Sequence, residues 1–192
     1  PIEECHLLEA GIDSFWRDLQ FESDEEVERV SLRAGADGEL MVVLESESPE
    51  TPELEVEADV SVVHVFDDHP VVLAGEGHLF FNILGKDFRV SAGSFFQVNT
   101  KMAEKMVEHL LSKLPITNHQ LLDIYCGVGA ITLWVSKKSS MVAGIEENAA
   151  SIATAGKAAK ANGVRNVRFV KGDAEEALAH LPPGGFDVAI VD

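Results

Sequence analysis

Cysteine is scarce in this chain: two in 192 residues, Cys5 and Cys126. That is too few for a disulfide framework, which excludes a small disulfide-stapled scaffold and suits a reducing compartment. No run of 18 or more apolar residues occurs, so no stretch reads as a membrane-spanning helix. The opening residues, Pro1 to Glu9, are acidic and do not read as a signal peptide. The chain is therefore expected to be cytoplasmic, with no membrane partner. Cations are scarce on one side only. Residues 1–100 hold 5 Lys and Arg against 23 Asp and Glu, whereas residues 101–192 hold 10 of each, within a net charge of −18. An acidic half is a poor surface for nucleic acid, because that affinity comes largely from cations that displace counterions. No DNA partner is expected. Were RNA a partner, the basic contacts would lie mainly elsewhere. The change in charge places a domain boundary near residue 95, with residues 1–94 on one side and 95–192 on the other.

The first half has the punctuation of a small α+β module. Leu8, Ile12, Phe15, Trp16 and Leu19 recur at helical spacing. Val30, Leu32 and Ala34 alternate, as do Leu40, Val42 and Leu44, and Asp37-Gly38 between them predicts a hairpin. Short β-branched or aromatic runs follow at 60–66, 71–74, 79–84 and 88–91, with turns at Asp67 to Pro70 and at Gly85-Lys86. These runs predict an antiparallel sheet with one helix. Farther on, Thr100 reads as the cap of a helix with Glu104 in its first turn. Met102, Met106, Val107, Leu110, Leu111 and Leu114 read as that helix's core face.

The second half is organised around Leu121-Leu-Asp-Ile-Tyr-Cys-Gly-Val-Gly-Ala-Ile131. An apolar run carrying Asp123 leads into Gly127 and Gly129, and then into an apolar segment to about Val135. This predicts a buried strand, a tight glycine turn and a helix start. Glycine lets a ligand approach the main chain, and free N–H groups at a helix start favour an anionic group. Nineteen residues after Gly127 comes Glu146, at the end of the apolar run Met141 to Ile145. A carboxylate there can accept from both hydroxyls of a ribose.

A nucleoside-containing cofactor is thus expected. The dinucleotide fingerprint needs a third glycine where Thr132 stands, which weakens an NAD reading. Asp123, four residues before the first glycine, suits S-adenosylmethionine, whose amino-acid end it can approach directly or through water. A remnant that binds no cofactor is a further alternative.

Asn148 caps an alanine-rich helix that ends at Asn162-Gly163. Val167 to Val170 reads as a third strand. Asp173, with Glu176, reads as a helix cap, and Phe186 to Val191 as a fourth strand ending at Asp192. The order β-α-β-α-β-α-β predicts a parallel, doubly wound sheet. Tyr125, Glu146, Asp173 and Asp192 fall at the carboxyl ends of its strands, where such sheets bind ligands. With the fourth strand just delivered and no strand after it, the chain is expected to be a truncated piece of a longer protein.

Ser94-Phe95-Phe96-Gln97-Val98-Asn99, Asp123-Ile124-Tyr125-Cys126-Gly127-Val128-Gly129, Gly144-Ile145-Glu146, Gly172-Asp173 and Asp192 together resemble the RNA 5-methyluridine methyltransferases. These are S-adenosylmethionine-dependent enzymes that methylate uracil in ribosomal or transfer RNA. The resemblance covers nearly all of residues 88–192 and extends weakly over the first half. It implies a class I, Rossmann-like α/β sheet, truncated here and preceded by a small α+β antiparallel-sheet domain. It implies cofactor contacts from Gln97, Tyr125, Glu146, Asp173 and Asp192, beside Asp123, Gly127 and Gly129. Tyr125 would pack near the cofactor, Glu146 would bind the ribose, Asp173 would lie near the adenine, and Gln97 would reach the methionine end. Ala130 departs from the family, where Asn or Thr is common.

Cys5 resembles the last of four cysteines holding a four-iron–four-sulfur cluster in many members. A cluster needs about four thiolates, so this chain alone is not expected to hold one. The family's nucleophilic cysteine and glutamate base would follow Asp192, leaving no catalytic residue here and the chain inactive alone. In that chemistry a thiolate adds to carbon 6 of uracil, carbon 5 takes the methyl, and a base then removes the carbon-5 proton. Cys126, inside the glycine turn, reads as a packing residue. His6, His64, His69 and His78 show no ligand spacing. Two other readings remain open at this point: methylation of another RNA base or a small molecule, and a non-catalytic cofactor-binding module.

Overall fold

One glycine-centred turn and one long connection set the architecture of the first unit. The computed structural model describes residues 10–19, 27–52, 59–67, 69–97, 99–114, 119–182 and 184–191. Its contacts divide the chain into two compact units, Pro1–Phe80 and Phe81–Asp192. The division falls earlier than the change in charge near residue 95, because the ribbon just after Phe80 packs with the second unit. Cys5 and Asp192 lie outside the described residues.

In the first unit, helix α1 (Ala10–Asp18) precedes strands β1 (Val27–Ala34), β2 (Leu40–Ser46), β3 (Ser61–Phe66) and β4 (His69–Ala74), in the sheet order β1-β2-β3-β4. The Asp37-Gly38 turn closes the β1–β2 hairpin. Gly38 takes φ +79°, and Gly35 N–H donates to Glu39 O at 2.8 Å. Val42, Leu44, Val60 and Val62 form the core, with Phe15, Leu32 and Leu73 packed against them.

Two of the three strand pairings are antiparallel, as expected, but β2 and β3 run parallel. The polar connection at 47–60 is long enough to return the chain to the same end of the sheet, which a hairpin loop cannot do. His69 and Pro70 belong to β4 rather than to the turn before it. Proline is tolerated there because β4 is an edge strand.

The second unit begins with a two-stranded ribbon, β5 (His78–Ile83) and β6 (Lys86–Ser91), whose first residues belong to the preceding unit. Alternate side chains Phe81, Ile83, Phe88 and Val90 are buried. Helix α2 (Thr100–Lys113) follows. Its N-cap is Asn99, whose side chain accepts from Met102 N–H at 3.0 Å, so Thr100 is the first helical residue and not the cap. Glu104 does not serve the helix start either: its carboxylate accepts from Leu84 N–H at 2.9 Å. The expected methionine stripe is not core, for Met102 and Met106 are 49% and 42% exposed while Val107 is buried.

The sheet comprises β7 (His119–Ile124), β8 (Ser139–Glu146), β9 (Val167–Lys171) and β10 (Val188–Val191), in the order β10-β7-β8-β9 and all parallel. Between them lie α3 (Ala130–Val135), a short 3-10 turn at Ser136–Lys138, α4 (Ala149–Ala161) and α5 (Ala174–Ala179). The central strands are buried on both faces. Leu121 and Val142 pack with Val135 on one face, and Leu122, Ile124, Ala143 and Ile145 pack with Ala174 on the other. This explains why these strands read as continuous apolar runs and not as alternations. Among the described residues, no helix is long and apolar enough to cross a membrane.

Candidate cofactor site

Leaving the end of β7, the backbone makes an uncommon set of turns. Tyr125, Gly127 and Gly129 take φ of +64°, +53° and +80°. A left-handed conformation is costly for a tyrosine and marks a constrained turn. The turn is held from inside: Cys126 N–H donates to Ile145 O at 3.0 Å, and Gly129 N–H donates to Cys126 O at 2.9 Å. Its outcome is an aromatic side chain, Tyr125, standing 54% exposed at the strand end beside two glycines.

Glu146 reaches this turn from the neighbouring strand. One carboxylate oxygen accepts from Gly127 N–H at 3.0 Å and the other from Asn148 N–H at 2.8 Å. Glu146 O also accepts from Gly172 N–H at 3.0 Å, which joins the ends of β8 and β9. Asp173 follows, and one of its oxygens accepts from Glu175 N–H and Glu176 N–H at 2.8 and 3.1 Å, capping α5. Gly127, Glu146 and Gly172 are therefore linked by hydrogen bonds at the carboxyl ends of β7, β8 and β9, with Asp173 next in the chain.

The remaining expected residues are placed differently. Asp123 is 1% exposed and accepts a short hydrogen bond from Thr132 Oγ1. Its visible task is to tie β7 to the first turn of α3. Gln97 is exposed beside Phe96, whose ring stacks at 4.4 Å from Phe81 and 5.9 Å from Phe88, while Phe95 is 80% exposed. Among the described residues, no hydrogen bond ties Gln97 to the glycine turn. Among those residues, too, no group of three or more His, Cys, Asp and Glu is arranged to hold a metal ion.

Three supporting contacts have no signal in the sequence, although Asn148 caps α4 as expected. Thr132 holds Asp123, Asn148 shares the Glu146 carboxylate, and Phe169 lies under two glycines. A Cβ added at Gly129 would meet Ala155 Cβ at 3.0 Å and Phe169 Cζ at 3.1 Å; one added at Gly144 would meet Cys126 Sγ at 2.7 Å. Gly129 and Gly144 are thus packing necessities. At Gly127, by contrast, an added Cβ would meet nothing within 4 Å.

Cys126 is buried, and its thiol is pushed up to about 12, first by burial and then by the negative charges of Asp123 and Glu146. It is a neutral packing group at ordinary pH and a poor nucleophile.

These residues fit a nucleoside. A carboxylate has about four lone-pair positions, of which backbone N–H groups occupy two at Glu146. The remaining positions can accept from ribose hydroxyls. The open space at Gly127 lets a ligand reach the main chain, and Tyr125 offers an exposed aromatic surface.

A family model described as tRNA (Uracil-5-)-methyltransferase matches residues 79–181. A protein of Leptospira interrogans, called an uncharacterized RNA methyltransferase, is 40% identical over 116 residues, covering 60% of this chain and 29% of the relative. One of the same description from Enterococcus faecalis is 32% identical over 176 residues, covering 81% of this chain and 38% of the relative. The chain thus spans about a third of the length of these relatives.

Among solved structures, the tRNA (uracil-54, C5)-methyltransferase of Pyrococcus abyssi in complex with S-adenosyl-L-homocysteine superposes with a TM-score of 0.65 at 22% identity. The superposition covers 87% of this chain and 43% of that one. The tRNA m1G37 methyltransferase of M. jannaschii gives a TM-score of 0.53 at 18% identity, covering 86% of this chain and 52% of that one. These likenesses establish the class I methyltransferase fold. The match of the family model over more than half of the residues makes the chain a member of the tRNA (uracil-5-)-methyltransferase family.

Proposed function

We propose that this chain supplies the cofactor-binding part of an enzyme that transfers a methyl group from S-adenosylmethionine to carbon 5 of a uridine in ribosomal or transfer RNA. The observation that carries the reading is the Glu146 carboxylate, braced on Gly127 N–H at 3.0 Å and Asn148 N–H at 2.8 Å at the mouth of the glycine turn. Glu146 accepts from the ribose hydroxyls. Gly127 and Gly129 shape the turn so that the cofactor passes close to the main chain. Tyr125 packs along the cofactor, and Asp173 lies near the adenine; Asp192 is assigned to the same set. Asp123 orients the turn through Thr132 and stands below the amino-acid end. Gln97 belongs to the segment that closes over that end.

When bound, the cofactor supplies an electrophilic methyl group on sulfur. Carbon 5 of uracil is too weak a nucleophile to take it unaided, so a thiolate has to add to carbon 6 first. Cys126 does not fill that role, being buried and neutral. The nucleophile and the base are assigned to the remainder of the longer protein, as in the family. No step of this reading passes through an iron–sulfur cluster.

The experiment uses the full-length protein, prepared without air, with S-adenosylmethionine and RNA carrying tritium at carbon 5 of uridine. Cofactor-dependent release of tritium to water is expected from either ribosomal or transfer RNA. Binding of S-adenosylhomocysteine without any release would overturn carbon-5 transfer and leave a methyltransferase of another RNA base or a small molecule. Absence of binding would overturn the cofactor reading itself.

A further inference from the structure

From Ala149 to Gly172 the chain contains five cations, Lys157, Lys160, Arg165, Arg168 and Lys171, and not one Asp or Glu. This occurs in a protein of net charge −18 that carries 33 acidic residues. All five side chains are exposed. Among the described residues, none of the five forms an ion pair, although carboxylates outnumber cations about twofold. Unpaired cations grouped in an acidic protein point to an external anion.

The fold arranges four of these residues as a track. Lys157 and Lys160 lie one turn apart near the end of α4, Arg165 in the turn that follows, and Lys171 on β9 on the face of Val167 and Phe169, whereas Arg168 alternates to the opposite face with Val170. Strand β9 is the outer strand of the order β10-β7-β8-β9, so the track runs along a sheet edge. From Arg165 to Lys171 it extends about 20 Å at the rise of a β-strand. It ends at Lys171, paired in register with Glu146, next to the Gly172–Asp173 rim of the cofactor site.

The turn bearing Arg165 is firmly held. Gly163 takes φ +66°, and Val164 N–H donates to Ala159 O at 2.9 Å. Asn166 Nδ2 donates to Ser136 O and Ser139 O, both at 2.9 Å. Beside it, a cleft of about 430 Å³ is lined by Gly156, Ala159 and Phe169 together with Lys160 and Arg165. Small and apolar groups lining a cleft together with cations suit a sugar or base flanked by phosphates. Charge on an edge strand also discourages edge-to-edge pairing, and that alone would account for Arg168 and Lys171. It does not account for Lys157 and Lys160 on the helix or for Arg165 in the turn.

We propose that the α4–β9 edge is the docking track for the RNA backbone, leading the substrate strand along β9 to the cofactor end of the sheet. This rests on the reading of the protein as an RNA methyltransferase and adds where on this chain the RNA is held. The phosphates meet Lys157, Lys160 and Arg165, with Lys171 ahead of them toward the cofactor end.

The test measures binding of a fluorescent transfer RNA or ribosomal RNA transcript to the full-length protein across a salt series. The variant K157E/K160E/R165E is expected to bind at least about tenfold more weakly. Its slope of log affinity against log salt should fall by about 2, from roughly 0.7 per phosphate contact on a single strand. K101E/K105E/K113E applies the same charge change to exposed cations of α2 and is expected to shift affinity less than about threefold. S-adenosylhomocysteine binding should be unchanged in both. K157Q/K160Q/R165Q replaces the reversal should that variant fold poorly, with the same loss of slope expected. Equal effects of the two reversals, unchanged affinity in the α4–β9 edge variants, or no RNA binding by the wild type would each overturn the track. Intact S-adenosylhomocysteine binding would show that the cofactor reading survives that failure. A change of oligomeric mass with RNA affinity unchanged would also overturn it, in favour of a protein occupant.

Discussion

Gly38 in the first unit and Gly129 in the second have almost the same backbone angle, φ +79° and +80°. Their surroundings are opposite. An added Cβ at Gly38 would meet nothing within 4 Å, whereas at Gly129 it would press on Ala155 and Phe169 at 3.0 and 3.1 Å. The hairpin glycine answers only to its own backbone. The glycine of the second unit answers also to a helix and a strand packed behind it. The first unit's turn is thus a local solution, while the second unit's turn is locked by the elements packed behind it.

Alanine substitution sharpens this most. Gly38→Ala carries only the left-handed penalty, about 1–2 kcal/mol. Gly129→Ala adds overpacking of about 1–3 kcal/mol to the same penalty. Hydrogen exchange resolved by unit should show a clearly larger loss of protection around α3 and α4 in Gly129→Ala than around β1 and β2 in Gly38→Ala. Equal losses would break the comparison.

Glu146→Ala comes next. Hydrogen bonds to a charged acceptor contribute about 1.5–3 kcal/mol each, so loss of the ribose ligand should weaken S-adenosylhomocysteine binding about 100-fold by titration calorimetry. Protection in the first unit should not change. An affinity within threefold of wild type would remove Glu146 from the site.

Much of this second unit was legible because its information lies in sequence spacing. The Asp123–Gly127–Gly129 order and the distance to Glu146 follow from one strand, one turn and the next strand, and the structure joins Glu146 to Gly127 directly. Contacts that close only in three dimensions were not legible. Thr132 read as a missing glycine and is the partner of Asp123. The parallel β2–β3 pairing depends on the path of the connection at 47–60, and no periodicity records that. The methionines of α2 repeat correctly for a core face, but periodicity says only that they share a side of the helix. They are exposed. Gln97, Tyr125 and Asp173 as ligands came from the resemblance, because exposed polar and aromatic strand ends look alike without a ligand chemistry to sort them.

Cys126 separates the two units by pH. Its thiol titrates near 12 when folded, against 9.0 for a free thiol. A raised folded value means that the native state holds the proton more tightly, so the contribution is complete below about pH 9 and is lost as pH rises toward 12. Stability of the second unit should fall by up to about 1.4 kcal/mol per pH unit within that window. Cys126→Ala should flatten that part of the profile, and the first unit should be indifferent. An unchanged slope in the variant would show that the thiol ionises normally.

The smallest effect concerns how the second unit starts its helices. Side chains cap three of them, α2, α4 and α5: Asn99 accepts from Met102 N–H, Asn148 from Ser151 N–H, and Asp173 from two N–H groups of α5. The hairpin of the first unit instead closes on backbone, Gly35 N–H to Glu39 O. Asn99→Ala should therefore cost about 1 kcal/mol, the usual cost of losing an N-cap. Thr100→Ala should stay within about 0.5 kcal/mol, since Thr100 already lies inside the helix. Both are read by urea denaturation of the same protein. The reverse order would return the cap to Thr100. The helix would then begin one residue later, and the Asn99 acceptor would be idle. The stated order would show instead that the amide at the end of Phe95-Phe96-Gln97-Val98-Asn99 starts α2, fixing where the exposed Gln97 leaves the helix.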